Sequence, residues 1–277
     1  MKIALISARP KIADKKSNLK TIEKYIKNTT ADFYVFGELF LTGYPCKDEF
    51  RNLAEEINGP SISYLKKIIE KKKCYLVFGM PLKDDKVEGL IYNSAILIHP
   101  NGKVDYYNKR FLITFGPFEE KIFFDEGEES KIFNTKYGKV GLFTCYDIYF
   151  PEITKALSLQ GADIIICISA SPSTTKKYFE ILFPARAIEN TCYLAYSNIV
   201  GSQEGLVFWG GSQLYDPLGK LLIKAPYYKE NVITYDIDLK NIKTARSNRP
   251  VLRDIRPEIY HDLYDISRFH KKRKNKN

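Results

Sequence analysis

Cysteine and histidine are both scarce in this chain, and neither is arranged for cross-linking or metal binding. The five cysteines, Cys46, Cys74, Cys145, Cys167 and Cys192, are odd in number and form no CxxC pair, which excludes a disulfide framework and a zinc ribbon. Of the three histidines, His99 borders a turn while His261 and His270 lie near the C-terminus, so none is offered at a strand edge as a base. No apolar run approaches the roughly 18 residues of a membrane span, and the opening "MKIALISA" is too short for a secretory signal. A cytoplasmic protein without a membrane segment is expected. No G-x-x-x-x-G-K-[ST] or G-x-G-x-x-G stretch occurs, so no nucleotide phosphate cradle is expected, and neither is a cofactor or a metal.

Acid is missing from one place in particular. The formal charge of the chain is +10, yet the last ten residues, "RFHKKRKNKN", hold six Lys/Arg and no Asp or Glu, which leaves about +4 for the rest. The sequence carries no zinc finger, RRM signature or basic heptad repeat, so nucleic acid is not an expected partner. Residues 267–277 read as a basic, disordered tail, with salt-sensitive nucleic-acid binding as the competing reading.

What is present is ordinary globular composition, 44% hydrophobic and 27% charged, in a regular alternation. Apolar β-branched runs ("KIALISA", "FYVFGE", "CYLVFGMP") alternate with amphipathic segments ("NLKTIEKYIKNTT", "ISYLKKIIEKKK"), which predicts β-α-β-α-β. Leu19, Ile22, Tyr25 and Ile26 recur at three- and four-residue spacing and form one apolar stripe. "GLIYNSAILIHP" and "KVDYYNK" flank Asn101-Gly102, a two-residue hairpin signal, so the sheet is expected to be mixed. The pattern resumes through "KVGLFT", a helix from Pro151, "DIIICIS", "KKYFEILFPARAIEN", "CYLAYSN", "GLVFWGGSQLYD", "KLLIKA" and "VITYDID". With no repeat and no internal linker, one α/β domain over residues 1–264 is predicted, its C-terminal arm spanning 245–266.

Three residues close apolar strands with chemistry-bearing side chains. Cys145 ends "KVGLF" shortly before the helix that Pro151 opens, where a helix N-terminus favours thiolate; a buried packing role is the alternative. Glu38 ends a buried-looking strand in "DFYVFGELFLTGYP", where an acid is costly without a task, or else is satisfied by loop amides. Lys109 closes "VDYYNK". With no suitable histidine, a carboxylate or lysine must activate any thiol nucleophile. An acid, a cation and a thiol together suit attack on a carbon–nitrogen centre, with the cation and a backbone N–H facing the oxyanion.

These residues sit in "GELFLTGYP", "YNKRFL" and "CYDIYFPE", motifs that resemble in order the Glu-Lys-Cys signatures of the nitrilase superfamily of carbon–nitrogen hydrolases. The resemblance extends through "YNSA", "GPFEEKIFF", "PARAIEN" and "FWGGSQLYDPLGK". It implies a four-layer α-β-β-α sandwich with mixed sheets, and a homodimer or higher homo-oligomer. For the site it implies Glu38 as general base, Cys145 as nucleophile, and Lys109 with the Tyr146 amide as oxyanion donors. Glu120 would orient Lys109, its neighbour Glu119 being the alternative. Tyr44, Phe115, Phe118, Tyr146, Tyr149 and Ser171 match substrate-pocket positions. Arg186 and Glu189, three apart on one helix, are expected to pair, and Asn93 and the "WGGS" glycines to serve the backbone. The expected activity is amide hydrolysis through a thioester. The alternatives are a nitrilase, a glutaminase serving a separate NAD synthetase ("LTGYPCKDEF", "FGPFEEKIFF" and "SASPS" are similar to that enzyme's glutaminase domain), or a non-catalytic subunit.

Overall fold

The computed structural model describes residues 1–274, and the last part of the expected tail, residues 275–277, lies outside them. The chain opens with β1 (Lys2–Ser7), α1 (Lys15–Asn28) and β2 (Phe33–Val35), then α2 (Phe50–Leu53), α3 (Pro60–Lys72) and β3 (Tyr75–Lys83). The hairpin β4 (Ile91–Ile98) and β5 (Val104–Asn108) follows, then α4 (Glu120–Phe123), β6 (Ile132–Thr135) and β7 (Gly138–Thr144). Next come α5 (Pro151–Leu159), β8 (Ile164–Ser169), α6 (Lys176–Asn190) and β9 (Tyr193–Asn198). The ribbon β10 (Val200–Gln203) and β11 (Leu206–Trp209) leads to β12 (Gln213–Tyr215), β13 (Leu221–Lys224), β14 (Asn231–Asp236), α7 (Lys240–Asn248) and α8 (Pro257–Lys274).

Two six-stranded sheets result, ordered β14-β1-β2-β3-β4-β5 and β13-β12-β9-β8-β7-β6. Each is mixed: β1-β2-β3 run parallel in the first and β7-β8-β9 in the second, and the outer pairs are antiparallel. The period-2 alternation of strands explains the layering. Ile3, Leu5, Phe33, Val35, Tyr75 and Val77 join one apolar cluster with residues of the second sheet and with Ile153 and Leu157 of α5 and Phe179 and Phe183 of α6. The intervening Ala4, Ile6, Tyr34, Leu76 and Phe78 pack with Ile22 and Ile26 of α1 and Leu65 and Ile69 of α3. The fold is therefore the expected α-β-β-α sandwich. Both faces of the central strands are covered, which is why they read as continuous apolar runs.

Local chemistry sets the helix ends. Asp14 caps α1 by accepting from the Ser17 N–H at 2.9 Å, and Pro60 and Pro151 open α3 and α5, where a missing N–H costs nothing. Three expectations are corrected. The β4–β5 connection is not a two-residue turn: His99 and Lys103 close a loop of Pro100, Asn101 and Gly102, with Gly102 N–H donating to His99 C=O at 2.9 Å. The run "GLVFWGGSQLYD" divides, β11 entering the separate ribbon and β12 the second sheet, because Gly210 and Gly211 adopt φ of +62° and +61° between them. The basic tail is helical through Lys274 as part of α8, since its Lys and Arg are good helix formers with no Pro or Gly to stop them. An i,i+4 His261–Asp265 pair at 3.5 Å and the Arg268 guanidinium 5.5 Å above the Tyr264 ring decorate that helix.

Among the described residues no helix is long and apolar enough to cross a membrane. None of their His, Cys, Asp and Glu side chains cluster as a metal site.

Candidate active site

Strand direction brings the candidates together. β5 lies two antiparallel steps from β3, so it runs the same way as β2 and β3, and the chain leaves all three at one edge of the first sheet. Glu38 follows β2 by three residues and Lys109 follows β5 directly, while Cys145 follows β7 and Ser171 lies two past β8. The sheets are stitched at these ends: Glu38 N–H donates to Ser169 C=O at 3.2 Å, and Ala170 N–H donates to Glu38 Oε2 at 2.7 Å.

The centre is a buried ion cluster. Lys109 Nζ donates to Glu38 Oε1 at 2.7 Å and to Glu120 Oε1 at 2.8 Å, with Lys109 and Glu38 wholly buried and Glu120 4% exposed. Of the two adjacent acids Glu120 is the buried one and Glu119 is exposed. Glu120 is held further by Ile113 N–H, 3.1 Å from Oε2, and by the Tyr44 hydroxyl, 2.5 Å from Oε1. Asn93 Nδ2 donates to Glu38 Oε1 at 2.7 Å, which gives the buried amide of "YNSA" a partner in the cluster itself rather than in the backbone. Burial works to lower the Lys109 pKa, but the carboxylates of Glu120 and Glu38 outweigh it and hold the ammonium well above its ordinary value. Burial pushes the Glu120 carboxyl up, and the Glu38 charge adds to this against the opposing pull of Lys109.

Cys145 opens a tight 3-10 turn, Cys145–Tyr149, that precedes α5. Its φ of +46° is left-handed, a conformation that costs a non-glycine residue about 1–3 kcal/mol and needs support from its surroundings. Support comes from Thr144 N–H, which donates to Asp147 Oδ2 at 3.1 Å, and from Arg186 Nε, which donates to Ile148 C=O at 3.0 Å. Arg186 also makes the expected pair with Glu189, at 3.2 Å. The thiol, 4% exposed, does not rest as the thiolate that the helix N-terminus suggested. Burial first, and then the Glu38 charge, hold its pKa well above the ordinary value, with Lys109 opposing.

The expected pocket residues divide in two. Tyr44 is committed to Glu120, and Ser171 Oγ accepts from Trp209 Nε1 at 3.2 Å and lies 2.7 Å from Thr175 Oγ1. Phe118 packs edge-on against Tyr44, the ring centroids 5.9 Å apart. Phe115, Tyr146 and Tyr149 form an aromatic rim on the Cys145 side: Tyr146 lies 5.4 Å from each of the other two rings, and Phe115 is exposed. Burial, and then Cys145, push the Tyr149 phenol up to about 12. Glu204, the conceivable counter-charge for a substrate ammonium, instead pairs with Lys47 at 3.1 Å.

Sequence reasoning passed over two residues. Asp147, two beyond Cys145, is fully buried and accepts three hydrogen bonds. Tyr196, inside the apolar run "CYLAYSN", has a buried hydroxyl with no aligned hydrogen-bond partner among the described residues, although Ser171 and Ser169 lie near enough to favour its ionised form. Burial and then Cys145 push its phenol well above the ordinary value. The only available signal was a polar group within a buried strand or turn, which requires a partner that the sequence does not name.

The site thus sets a buried thiol at a strand end near a carboxylate, an ammonium and a second carboxylate, with no histidine among them. The carbon–nitrogen hydrolase family model matches residues 2–247, and the chain belongs to that family of enzymes. It is 32% identical over 269 residues to a probable nitrilase of Schizosaccharomyces pombe, covering 94% of this chain and 97% of that one. It is 30% identical over 246 residues to the 2-oxoglutaramate amidase of Bacillus subtilis, covering 88% and 93%. The amidase of Nesterenkonia sp. AN1 superposes with a TM-score of 0.82 at 28% identity, covering 95% and 96%. In a variant of that amidase the acetamide moiety of fluoroacetamide adds covalently at the active-site cysteine.

The Glu38 loop depends on a close approach. A Cβ on Gly79 would lie 2.2 Å from Leu39 N and 2.7 Å from Glu38 Cα, so neither chain could keep its place. Gly79→Ala is expected to lower kcat at least tenfold and to destabilise by about 1–3 kcal/mol, read by ammonia release and urea unfolding. Unchanged kcat would show that Glu38 tolerates displacement.

Proposed function

We propose that the protein is an amidase that forms a thioester at Cys145, and the observation that carries this reading is the buried Glu38–Lys109–Glu120 cluster at the sheet edge where Cys145 emerges. Because the thiol rests protonated, its proton moves to Glu38 as sulfur attacks the amide carbon. The carbon–sulfur bond forms and the carbonyl pair moves to oxygen, which faces the Lys109 ammonium and the Tyr146 amide. Glu38 returns the proton to the leaving nitrogen as the carbon–nitrogen bond breaks, releasing ammonia or an amine. A water that gives its proton to Glu38 then attacks the thioester, the acid departs, and the thiol reforms. Glu120 orients Lys109 and, with Tyr44, keeps it charged.

Cys145→Ala is expected to abolish turnover with the fold intact, and Glu38→Gln to cost kcat more than KM, since an amide keeps the shape but accepts no proton. A panel of amides and nitriles, read by ammonia release, tests the reading. Faster nitrile turnover would make the chain a nitrilase working through a thioimidate. No ammonia from any member, with an unreactive Cys145, would leave a non-catalytic subunit.

Free glutamine is expected to be a poor substrate, whether or not a separate synthetase takes up the ammonia. The glutaminase domains that this chain resembles place an acid directly after the nucleophile, where Tyr146 stands here, and Phe115 replaces a tyrosine. The rim of Phe115, Tyr146 and Tyr149 presents no carboxylate, and Glu204 is taken by Lys47. An ammonium left unpaired there costs about 1–3 kcal/mol, a tenfold or greater preference against it. Neutral or monocarboxylate amides with short acyl groups should show the higher kcat/KM; a higher value for glutamine would overturn the argument.

The arm supports a homodimer or higher oligomer. Ile259, Leu263 and Ile266 of α8 are 52%, 51% and 66% exposed and lie on one helix face beside Tyr260 and Tyr264, an apolar stripe that a neighbouring copy would cover. Sedimentation should find a dimer or larger species, and a fully active monomer at every concentration would remove this reading.

A further inference from the structure

Asp147 has no part in the steps above, yet its carboxylate ties the two halves of the site together. Oδ2 accepts from the Tyr107 hydroxyl at 2.7 Å and from Thr144 N–H at 3.1 Å, and Oδ1 accepts from Phe111 N–H at 3.0 Å. Tyr107 and Phe111 flank Lys109 by two residues on either side, and Thr144 is the residue before Cys145. One side chain thus clamps the first sheet's lysine segment to the second sheet's nucleophile turn.

We propose that Asp147 is a positioning residue for the hydrolysis, its ionised carboxylate fixing the Lys109 ammonium relative to Cys145 and the Tyr146 amide. The inference rests on the amidase reading and adds a dependence that reading does not contain. Three donors converge on two oxygens, with a fixed backbone N–H on each, an arrangement that a carboxylate satisfies in full. A protonated carboxyl would keep Tyr107 only by reversing that bond, its O–H donating to the phenol oxygen and its hydroxyl oxygen accepting more weakly from Thr144 N–H, and an asparagine would turn its NH2 toward one of the backbone N–H groups. Loosening of the clamp acts on both donors to the oxyanion, where small displacements cost rate rather than binding.

The groups facing Asp147 set when this happens. Lys109 lies near but is bound to Glu38 and Glu120, and no ion pair joins Asp147 to any Lys, Arg or His of the described residues. Tyr107 and Arg110 belong to the β5 segment, Cys145 to its own turn, Cys167 to β8, and Arg186 of α6 is turned to Ile148 C=O. Burial raises the Asp147 carboxyl to about 6, against the field of Lys109 and the bonds from Tyr107, Thr144 and Phe111. Its folded pKa lies above the unfolded value, so ionising the buried group lowers fold stability as pH rises from about 4 to 6, with no further change from it above that range. Activity should change in the opposite sense, rising as the clamp ionises. A purely structural carboxylate would move both together.

The test is the pH profile of kcat and of Cys145 alkylation by iodoacetamide, in wild type, Asp147→Asn and Tyr107→Phe. Wild type should show an acid limb near pH 6 in both. Asp147→Asn should lower kcat at least tenfold at pH 7.5 with KM nearly unchanged, lose that limb, and remain fully folded at the assay temperature. Tyr107→Phe, which removes a bond favouring the ionised form, should move the limb upward. Wild-type kcat in the Asn variant, a limb that survives in it, or a rate loss that only follows unfolding would overturn the proposal. Alkylation requires no turnover, so it decides the role of Asp147 even if no amide is hydrolysed.

Discussion

Among the described residues the Lys109 ammonium is the one buried with no access to water, and the geometry of the whole sheet edge follows from satisfying it. An uncompensated charge at such depth would cost several kcal/mol, and removing one partner of a buried pair typically costs about 3–5 kcal/mol. Glu38 comes from the loop after β2, Glu120 from the start of α4, and Lys109 from the end of β5. Three distant segments must therefore reach final register before the charge is paired. The second carboxylate then has to be held in its turn, which Tyr44 and Ile113 do for Glu120 and which Asn93 and Ala170 do for Glu38.

Two sheets are needed for this, and their twist and parallel centres supply it. Parallel strands end together at one edge, and stacking two sheets with covered outer faces sets two such edges opposite each other. Loops leaving that edge can then pair backbone groups across the interface, as Ser169 C=O does by accepting from Glu38 N–H at 3.2 Å while also accepting from Ile199 N–H of its own sheet at 3.1 Å. The outer helices exclude water from both sheets, and the low local dielectric gives the ion cluster its strength.

Much of this was legible in the sequence, and the illegible parts share a cause. Period-2 and period-3.6 patterns report which faces are apolar, so "KIALISA", "NLKTIEKYIKNTT" and "DIIICIS" disclosed their elements. The motifs around Glu38, Lys109 and Cys145 disclosed a chemical set by resemblance. Patterns do not report where a strand ends when the apolar run continues: β2 holds only Phe33–Val35, and Phe36 and Gly37 lead into the loop that carries Glu38. Nor do they report polar partners across sheets. Asp147 reads as one more residue near a helix start, and its partners Tyr107 and Phe111, 40 and 36 positions earlier, give it meaning. The length of α8 was missed for the opposite reason, because composition alone cannot separate a charged exposed helix from a charged coil.

Among the described residues no histidine lies at the sheet edge that carries Glu38 and Lys109, His99 following β4 at the opposite end, and this bears on how the thiol is used. A thiolate stabilised in advance would sit beside Glu38 and Glu120, both repelling it, with Lys109 already shared between them. A neutral thiol avoids that repulsion in the resting site, and on the amidase reading proposed above it leaves the carboxylate free to take the proton during attack, when negative charge would leave sulfur for the substrate oxygen. On that reading the same Lys109 that offsets the carboxylates at rest would face the growing oxyanion, and its attraction would increase as the reaction proceeds. The proposed mechanism therefore favours the transition state over the ground state by the migration of charge past a fixed ammonium. Such a device works only if Lys109 cannot follow the charge, and its two carboxylate bonds at 2.7 and 2.8 Å prevent it from doing so.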